Sequence, residues 1–193
     1  MDMQTPQSTA EPLAVEARAG RGLEFTSPTA ADGPQVHRLI AACPPLDQNS
    51  PYCNLLQCSH WAETCVAAWR GGQLVGWVSA YRLPLDPQTL FIWQVAVGPQ
   101  ARGQGLAGQM IDHLLKRRAC HGVRRLQTTI TPDNAASWRM FEGVARRLSA
   151  PLHGVPWFLK GEHFIGGHES EHLVSIGPFS TPAGDAAPAA ANA

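Results

Sequence analysis

Gly103 and Gly105 stand where a β-branched stretch gives way to helix-forming residues, in the run Val95-Ala96-Val97-Gly98-Pro99-Gln100-Ala101-Arg102-Gly103-Gln104-Gly105-Leu106-Ala107. Glycines at such a turn let main-chain N–H groups close around an anion, and the positive end of the helix dipole adds to the attraction. The chemistry this predicts is the holding of a pyrophosphate. The Lys-Ser/Thr pair that follows the second glycine of a Walker A loop is missing, and so is the third glycine of the dinucleotide fingerprint. A bare G-x-G most often marks a turn. The strand before it and the helix after it favour a binding loop here.

A second group of residues could bind ions or move protons. His168-Glu169-Ser170-Glu171-His172 gathers four titratable side chains. Read as a strand, alternation puts His168 with His172, and Glu169 with Glu171, on opposite faces. The spacing would suit a metal, but an exposed charged edge is the usual meaning of such a run, and no metal is expected. Asp47 lies in the turn-rich Leu46-Asp47-Gln48-Asn49-Ser50-Pro51-Tyr52, where composition by itself favours an Asx-turn or a cap. Tyr52, one of two tyrosines, either orients a ligand through its hydroxyl or packs. Trp93 sits in an apolar run, where a core tryptophan is the usual reading. Its indole N–H could equally donate to a carboxylate while the ring walls a pocket.

These residues need a scaffold, and the hydrophobic pattern supplies one. Leu23-Glu24-Phe25-Thr26 reads as a strand, and Asp32 to Ala42 as a helix with Val36, Leu39 and Ile40 on one face. Pro44-Pro45 breaks it, and Pro51 can open a second helix. Cys65 to Trp69 and Leu74 to Tyr81 read as a hairpin around Gly71-Gly72. Leu90 to Val97 is a nearly continuous apolar strand, as at a sheet centre. Gly105 to Arg118 is an amphipathic helix, Leu126 to Thr131 a strand, and Asp133 or Asn134 can cap a helix to Leu148. His172 to Ile176 is a last strand. The pattern predicts an α/β domain, a mixed sheet with helices on both faces.

The 193 residues suffice for one domain with a substantial core. Fifteen basic and fifteen acidic residues balance. No basic stripe points to nucleic acid, and no apolar run approaches the ~20 residues that span a bilayer. The N-terminus lacks the apolar core of a signal peptide. Five cysteines without a CxxC pair suggest reduced thiols and a cytoplasmic protein. Residues 1–22 and 180–193, poor in large apolar side chains, are predicted to be disordered tails around a domain at 23–179.

Gln100-x-x-Gly103-x-Gly105 resembles the coenzyme A loop of the GNAT acetyltransferase superfamily, and the order of elements is similar to the GNAT order. A closer resemblance, to the L-2,4-diaminobutyrate acetyltransferases of ectoine biosynthesis, rests on further segments. They are Pro45 to Tyr52, Ala62-Glu63-Thr64-Cys65-Val66, Gly76 to Tyr81, Asp86 to Val97, Gly167 to Glu171 and Ile176 to Phe179. The resemblance implies a GNAT fold with six to seven strands, splayed at the acetyl-CoA site. It implies transfer of acetyl from acetyl-CoA to L-2,4-diaminobutyrate, giving the N4-acetyl precursor of the osmolyte ectoine. It also implies a cytoplasmic homodimer.

Residue by residue, the resemblance places main chain from Arg102, Gly103, Gln104, Gly105, Leu106 and Ala107 on the pyrophosphate. It sets a main-chain N–H near Val95, Ala96 or Val97 on the thioester carbonyl. Asp47 becomes an ammonium binder, with Tyr52, Trp93, His168 and Glu171 beside the substrate. Trp93, His168 and Glu169 are expected nearest the chemistry, with a base acting directly or through water. Asn134 either meets the pantetheine arm or only caps its helix. Phe141 falls where many GNATs carry a tyrosine as general acid, and a phenyl ring cannot donate a proton. The competing readings are a GNAT for another small amine and a non-catalytic acyl-CoA sensor. The latter would not need Asp47, Trp93 and His168 together.

Overall fold

The computed structural model describes residues 22–164 and 166–180. Except for Gly22 and Ser180, the segments expected to be disordered tails lie outside the described residues. The strands are β1 Leu23–Thr26, β2 Val66–Arg70, β3 Gln73–Leu83, β4 Asp86–Val97, β5 Arg125–Ile130, β6 Leu152–Phe158 and β7 Glu171–Ile176. The helices are α1 Gly33–Ala41, α2 Pro51–Ser59, α3 Leu106–Leu115 and α4 Ala135–Arg147. One seven-stranded sheet runs in the order β1-β2-β3-β4-β5-β7-β6.

Local chemistry explains most of the boundaries. Gly71 and Gly72, at φ +56° and +75°, allow the tight turn between β2 and β3. Ser50 Oγ accepts the Cys53 N–H at 3.1 Å, and Pro51 pre-sets the first turn of α2. Asn134 Oδ1 does the same for α4, accepting the Ser137 N–H at 3.1 Å.

The helices divide between the two faces of the sheet. Val36, Leu39 and Ile40 of α1 and Cys58 of α2 pack on Ala67, Trp69, Trp77 and Ala96. On the other face, Leu106, Met110 and Leu114 of α3, with Phe141 and Val144 of α4, pack on Val66, Val78, Leu90 and Ile92. The mixed sheet with helices on both faces is therefore the observed architecture.

Two irregularities of β4 shape everything that follows. β4 and β5 are the parallel pair, and they register only at Thr89–Arg125, Leu90–Leu126 and Phe91–Gln127. Beyond Phe91 the strands part. β4 continues along β3, while β5 continues along β7 as far as Ile130–His172. The second irregularity is a bulge. Ser79 opposes Gln94 and Ala80 opposes Ile92, which leaves Trp93 as the extra residue. The bulge reverses the alternation of the strand. Leu90 and Ile92 face α3 and α4 before it, Val95 and Val97 after it, and Ala96 turns to the α1 face.

Three local expectations change. β4 starts at Asp86, before Pro87, and forms a second hairpin with β3. β6 was not legible as a strand because Gly154 and Pro156 interrupt its pattern. It lies at the sheet edge, with a bulge beside Pro156, and both are places where a ladder tolerates proline. Finally, β7 begins only at Glu171, so residues 168–170 precede the strand and the alternation expected for His168 to His172 does not apply.

Candidate active site

The glycine loop is built as its composition requires. A short 3-10 turn at Pro99–Ala101 leads from β4 into Arg102, and Gly103 and Gly105 then take φ of +73° and +70°. Only glycine adopts that region without strain. Gly105 is the N-cap of α3, so the unpaired N–H groups of the first helical turn, Leu106 and Ala107 among them, open beside it. A side chain at Gly103 would meet nothing within 4 Å, so the loop is open on its outer side. The side chains of the loop brace it from behind. Arg102 Nε donates to the Val97 carbonyl at 3.1 Å, and Gln104 takes Arg70 Nη2 at 2.9 Å and gives to the Gln100 carbonyl at 3.1 Å. Arg102 and Gln104 are thus placed to offer main chain, with their side chains already engaged.

The parting of β4 from β5 frees main-chain groups on β4. The Gly98 N–H donates to the Val75 carbonyl on β3 at 2.9 Å. By alternation the main-chain groups of Ala96 also face β3, while those of Val95 and Val97 face the gap. The gap and the glycine loop together fit an extended acyl thioester: a slot for the arm, amides for the carbonyl, and a helix N-terminus for the phosphates.

A charged cluster closes the far side. His168 Nε2 lies 3.5 Å from Asp47 Oδ2 and 3.8 Å from Glu171 Oε1. These groups come from opposite walls. Asp47 belongs to the α1–α2 loop, which is fastened to β4; Glu171 starts β7, beside the end of β5. His168 Nδ1 donates to the Glu169 carbonyl at 2.7 Å, and its ring stacks on Phe164 at 4.2 Å. Donation from Nδ1 leaves Nε2 facing two carboxylates, so protonation is favoured and the imidazole pKa is raised. The Glu169 carbonyl is the main cause, with Asp47 and Glu171 adding to it. The Glu171 carboxyl is also pushed up. Burial is the main cause; the His168 imidazole and the Thr129 hydroxyl pull the other way.

The remaining expected site residues fall in three places. Trp93, carried outward by the bulge, is 41 % exposed and meets Trp61 at 6.0 Å and Tyr81 at 6.5 Å between ring centroids. It is an exposed tryptophan and not a core one. Tyr52 is 69 % exposed in the first turn of α2. Glu169 stands apart from the cluster, its carboxylate paired with Lys160 Nζ. The Asn134 oxygen is spent on its cap, which leaves the amide NH2 for any other role. Phe141 is 3 % exposed within the α3–α4 core. Among the described residues no grouping of His, Cys, Asp and Glu could hold a metal ion.

Sequence reasoning missed the fastening of the Asp47 loop. Gln94 Nε2 donates to the Asp47 carbonyl at 2.8 Å, and Asn49 Nδ2 donates to Gln94 Oε1 at 3.0 Å. A lone glutamine in an apolar strand was the available signal.

An open sheet with a glycine-loop anion cradle at its splayed parallel pair defines an acyl-CoA-dependent acetyltransferase, and residues 34–144 match the acetyltransferase (GNAT) family. A ribosomal-protein-S18-alanine N-acetyltransferase from Escherichia coli superposes with a TM-score of 0.59 at 15 % identity, over 86 % of this chain and 99 % of its own, and so shares the fold. Nearer relatives narrow the family. The L-2,4-diaminobutyric acid acetyltransferase of Methylotuvimicrobium alcaliphilum is 52 % identical over 90 % of this chain and 96 % of its own. The Vibrio cholerae enzyme of the same name is 51 % identical over 79 % and 88 %. Diaminobutyrate acetyltransferase EctA from Paenibacillus lautus, solved with L-2,4-diaminobutyric acid and coenzyme A, is 42 % identical. It superposes with a TM-score of 0.79 over 86 % of this chain and 100 % of its own. The chain belongs to the GNAT acetyltransferases and, within them, to the L-2,4-diaminobutyric acid acetyltransferase family.

Proposed function

We propose that the protein transfers the acetyl group of acetyl-CoA to the γ-nitrogen of L-2,4-diaminobutyrate, releasing coenzyme A and N4-acetyl-L-2,4-diaminobutyrate, the precursor of ectoine. The observation that carries this reading is the meeting of Asp47, His168 and Glu171 across the mouth of the β4–β5 gap. A small acceptor with two amines and one carboxylate needs two anionic partners and one cationic or N–H partner within a few ångströms. The cluster supplies the two carboxylates, with the His168 imidazole between them, and the indole N–H of the exposed Trp93 is the donor left for the acceptor carboxylate.

The amine attacks the thioester carbon directly. The C–N bond forms as the C–S bond breaks, and main-chain N–H at Val95 or Val97 holds the developing oxyanion. Asp47 holds the ammonium that does not react. Glu171, its carboxyl raised by burial, takes the proton from the γ-nitrogen, directly or through water. His168 sets the charge between the two carboxylates, and Trp93 and Tyr52 wall the acceptor. Glu169 steadies the 159–170 loop through Lys160. Gly103 to Ala107 carry the pyrophosphate, and the Asn134 amide is free to meet the pantetheine arm. Phe141 gives no proton, so the thiolate leaves with coenzyme A and is protonated by solvent.

We also propose a homodimer that works in the cytoplasm. The free thiols of all five cysteines support the compartment. Among the described residues no helix is long and apolar enough to cross a membrane. The exposed Val155, Trp157 and Phe158 of edge strand β6 support a partner copy.

A thiol-release assay with acetyl-CoA and L-2,4-diaminobutyrate, run beside lysine, ornithine and spermidine, tests the reading. Selective turnover of diaminobutyrate is expected, with NMR locating the acetyl group on the γ-nitrogen. Turnover confined to the other amines would overturn the substrate. Acetyl-CoA binding without turnover would overturn the enzyme.

A further inference from the structure

We infer that Gln94 is a positioning residue for the acceptor substrate, setting the Asp47 loop in register with the thioester strand. This rests on the reading of Asp47 as an ammonium binder. The side chain of Gln94 is 8 % exposed, yet it belongs to an otherwise apolar strand. Both ends of its amide are committed. Nε2 donates to the Asp47 carbonyl at 2.8 Å, and Oε1 accepts from Asn49 Nδ2 at 3.0 Å.

The bulge makes this contact possible. Without the extra residue at Trp93, Gln94 would follow Leu90 and Ile92 onto the α3–α4 face and be buried there without a partner. With it, Gln94 turns to the α1–α2 face, directly over the loop. One irregularity thus carries the Trp93 ring outward and aims Gln94 at Asp47. Val95, the next residue of β4, has its main-chain groups in the gap. The strand that presents amides to the thioester therefore also fixes, through one side chain, the residue facing the acceptor amine.

The loop is otherwise held at its ends, by Leu46 against the α1-face core and by the Ser50 cap of α2, and by the His168 contact to Asp47. Residues 47–50 form no regular element, and Asp47 exposes 84 % of its side chain. Loss of the strap lets the loop drift, and small misplacements of an acceptor are costly in a reaction that depends on a near-attack geometry. The expected signature is confined to one substrate: the acceptor site loosens while the coenzyme A loop, anchored separately on α3, does not.

The test compares Gln94→Leu, Asn49→Ala and Asp47→Ala, and the Gln94→Leu/Asp47→Ala double variant. The readouts are KM for diaminobutyrate, KM for acetyl-CoA, kcat and Tm. Gln94→Leu is expected to raise KM for diaminobutyrate about tenfold, with Asn49→Ala raising it less, and KM for acetyl-CoA is expected to stay within about twofold. Once Asp47 is removed, Gln94→Leu is expected to add less than about twofold. Additive effects in the double variant would overturn the inference, as would equal losses toward both substrates with a lowered Tm. Should Gln94→Leu fail to fold, Asn49→Ala carries the test from the outer end of the strap, and an unchanged KM for diaminobutyrate there overturns it. An unchanged KM in Asp47→Ala would instead overturn the ammonium-binding reading of Asp47.

Discussion

In the proposed site, His168 is the residue that would connect charge to substrate affinity. While protonated it offsets part of the charge of Asp47 and Glu171. As pH rises through its elevated pKa, the cluster becomes more anionic and holds an ammonium more tightly. KM for diaminobutyrate is expected to fall over that interval, and His168→Gln should flatten the step. Initial-rate measurements across about pH 6 to 8 check both. The linkage to folding has the opposite sense. A raised imidazole pKa stabilises below the unfolded value and loses that contribution as pH rises through the folded one, so Tm should drift down across the same interval in the wild type. Phe141 makes a contrasting case. Phe141→Ala removes a buried ring and should cost about 3–5 kcal/mol of stability, read from chemical denaturation. It should leave both limbs of the pH–rate profile in place, since no proton passes through it.

The glycine loop and the bulged strand are the elements on which the proposed site rests. Gly105 caps α3 at φ +70°, with only Gln109 Nε2 near a hypothetical Cβ, at 3.9 Å. Gly105→Val therefore meets conformational strain of about 1–2 kcal/mol and also places a side chain where the phosphates must approach. KM for acetyl-CoA is expected to rise about tenfold or more, with KM for diaminobutyrate little changed; steady-state kinetics in both substrates would show the split. The divided readout matters because the two walls of the site are different segments, tied together where Gln94 of β4 straps the α1–α2 loop. The loop hangs on β4 and α3. The acceptor cluster hangs on the α1–α2 loop and on β7.

For the molecule as a whole, the balanced charge and a pI near 7.1 leave recognition to the local cluster, with no long-range field to steer a ligand. The exposed edge strand β6 is the other feature at this scale. Val155, Trp157 and Phe158 are exposed along it, with a bulge between Pro156 and Phe158, and the loop carrying His168 starts just beyond Phe158. Trp157→Glu is expected to halve the mass measured by light scattering, and an unchanged mass would remove β6 from the interface.

Much of this was written in local pattern. Periodicity placed the helices and most of the strands. The Gly71-Gly72 turn and the Ser50 and Asn134 caps depend on neighbours within a few residues, and the glycine loop announces itself by strand, turn and helix in succession. Family likeness drew attention to Asp47, Trp93, His168 and Glu171. What lay beyond local pattern was the outcome of long-range pairing. Strict alternation along Leu90 to Val97 would send Gln94 to the wrong face, and only the register against β3 creates the bulge that reverses it. The short β4–β5 ladder, the strand status of β6 and the separation of Glu169 from Glu171 have the same cause. Each depends on partners outside any local window, Arg125 for Thr89 and Ile176 for Leu152, or on a β7 that starts only at Glu171. Composition and spacing describe what each segment can do; the pairing of distant strands chooses which side chains meet.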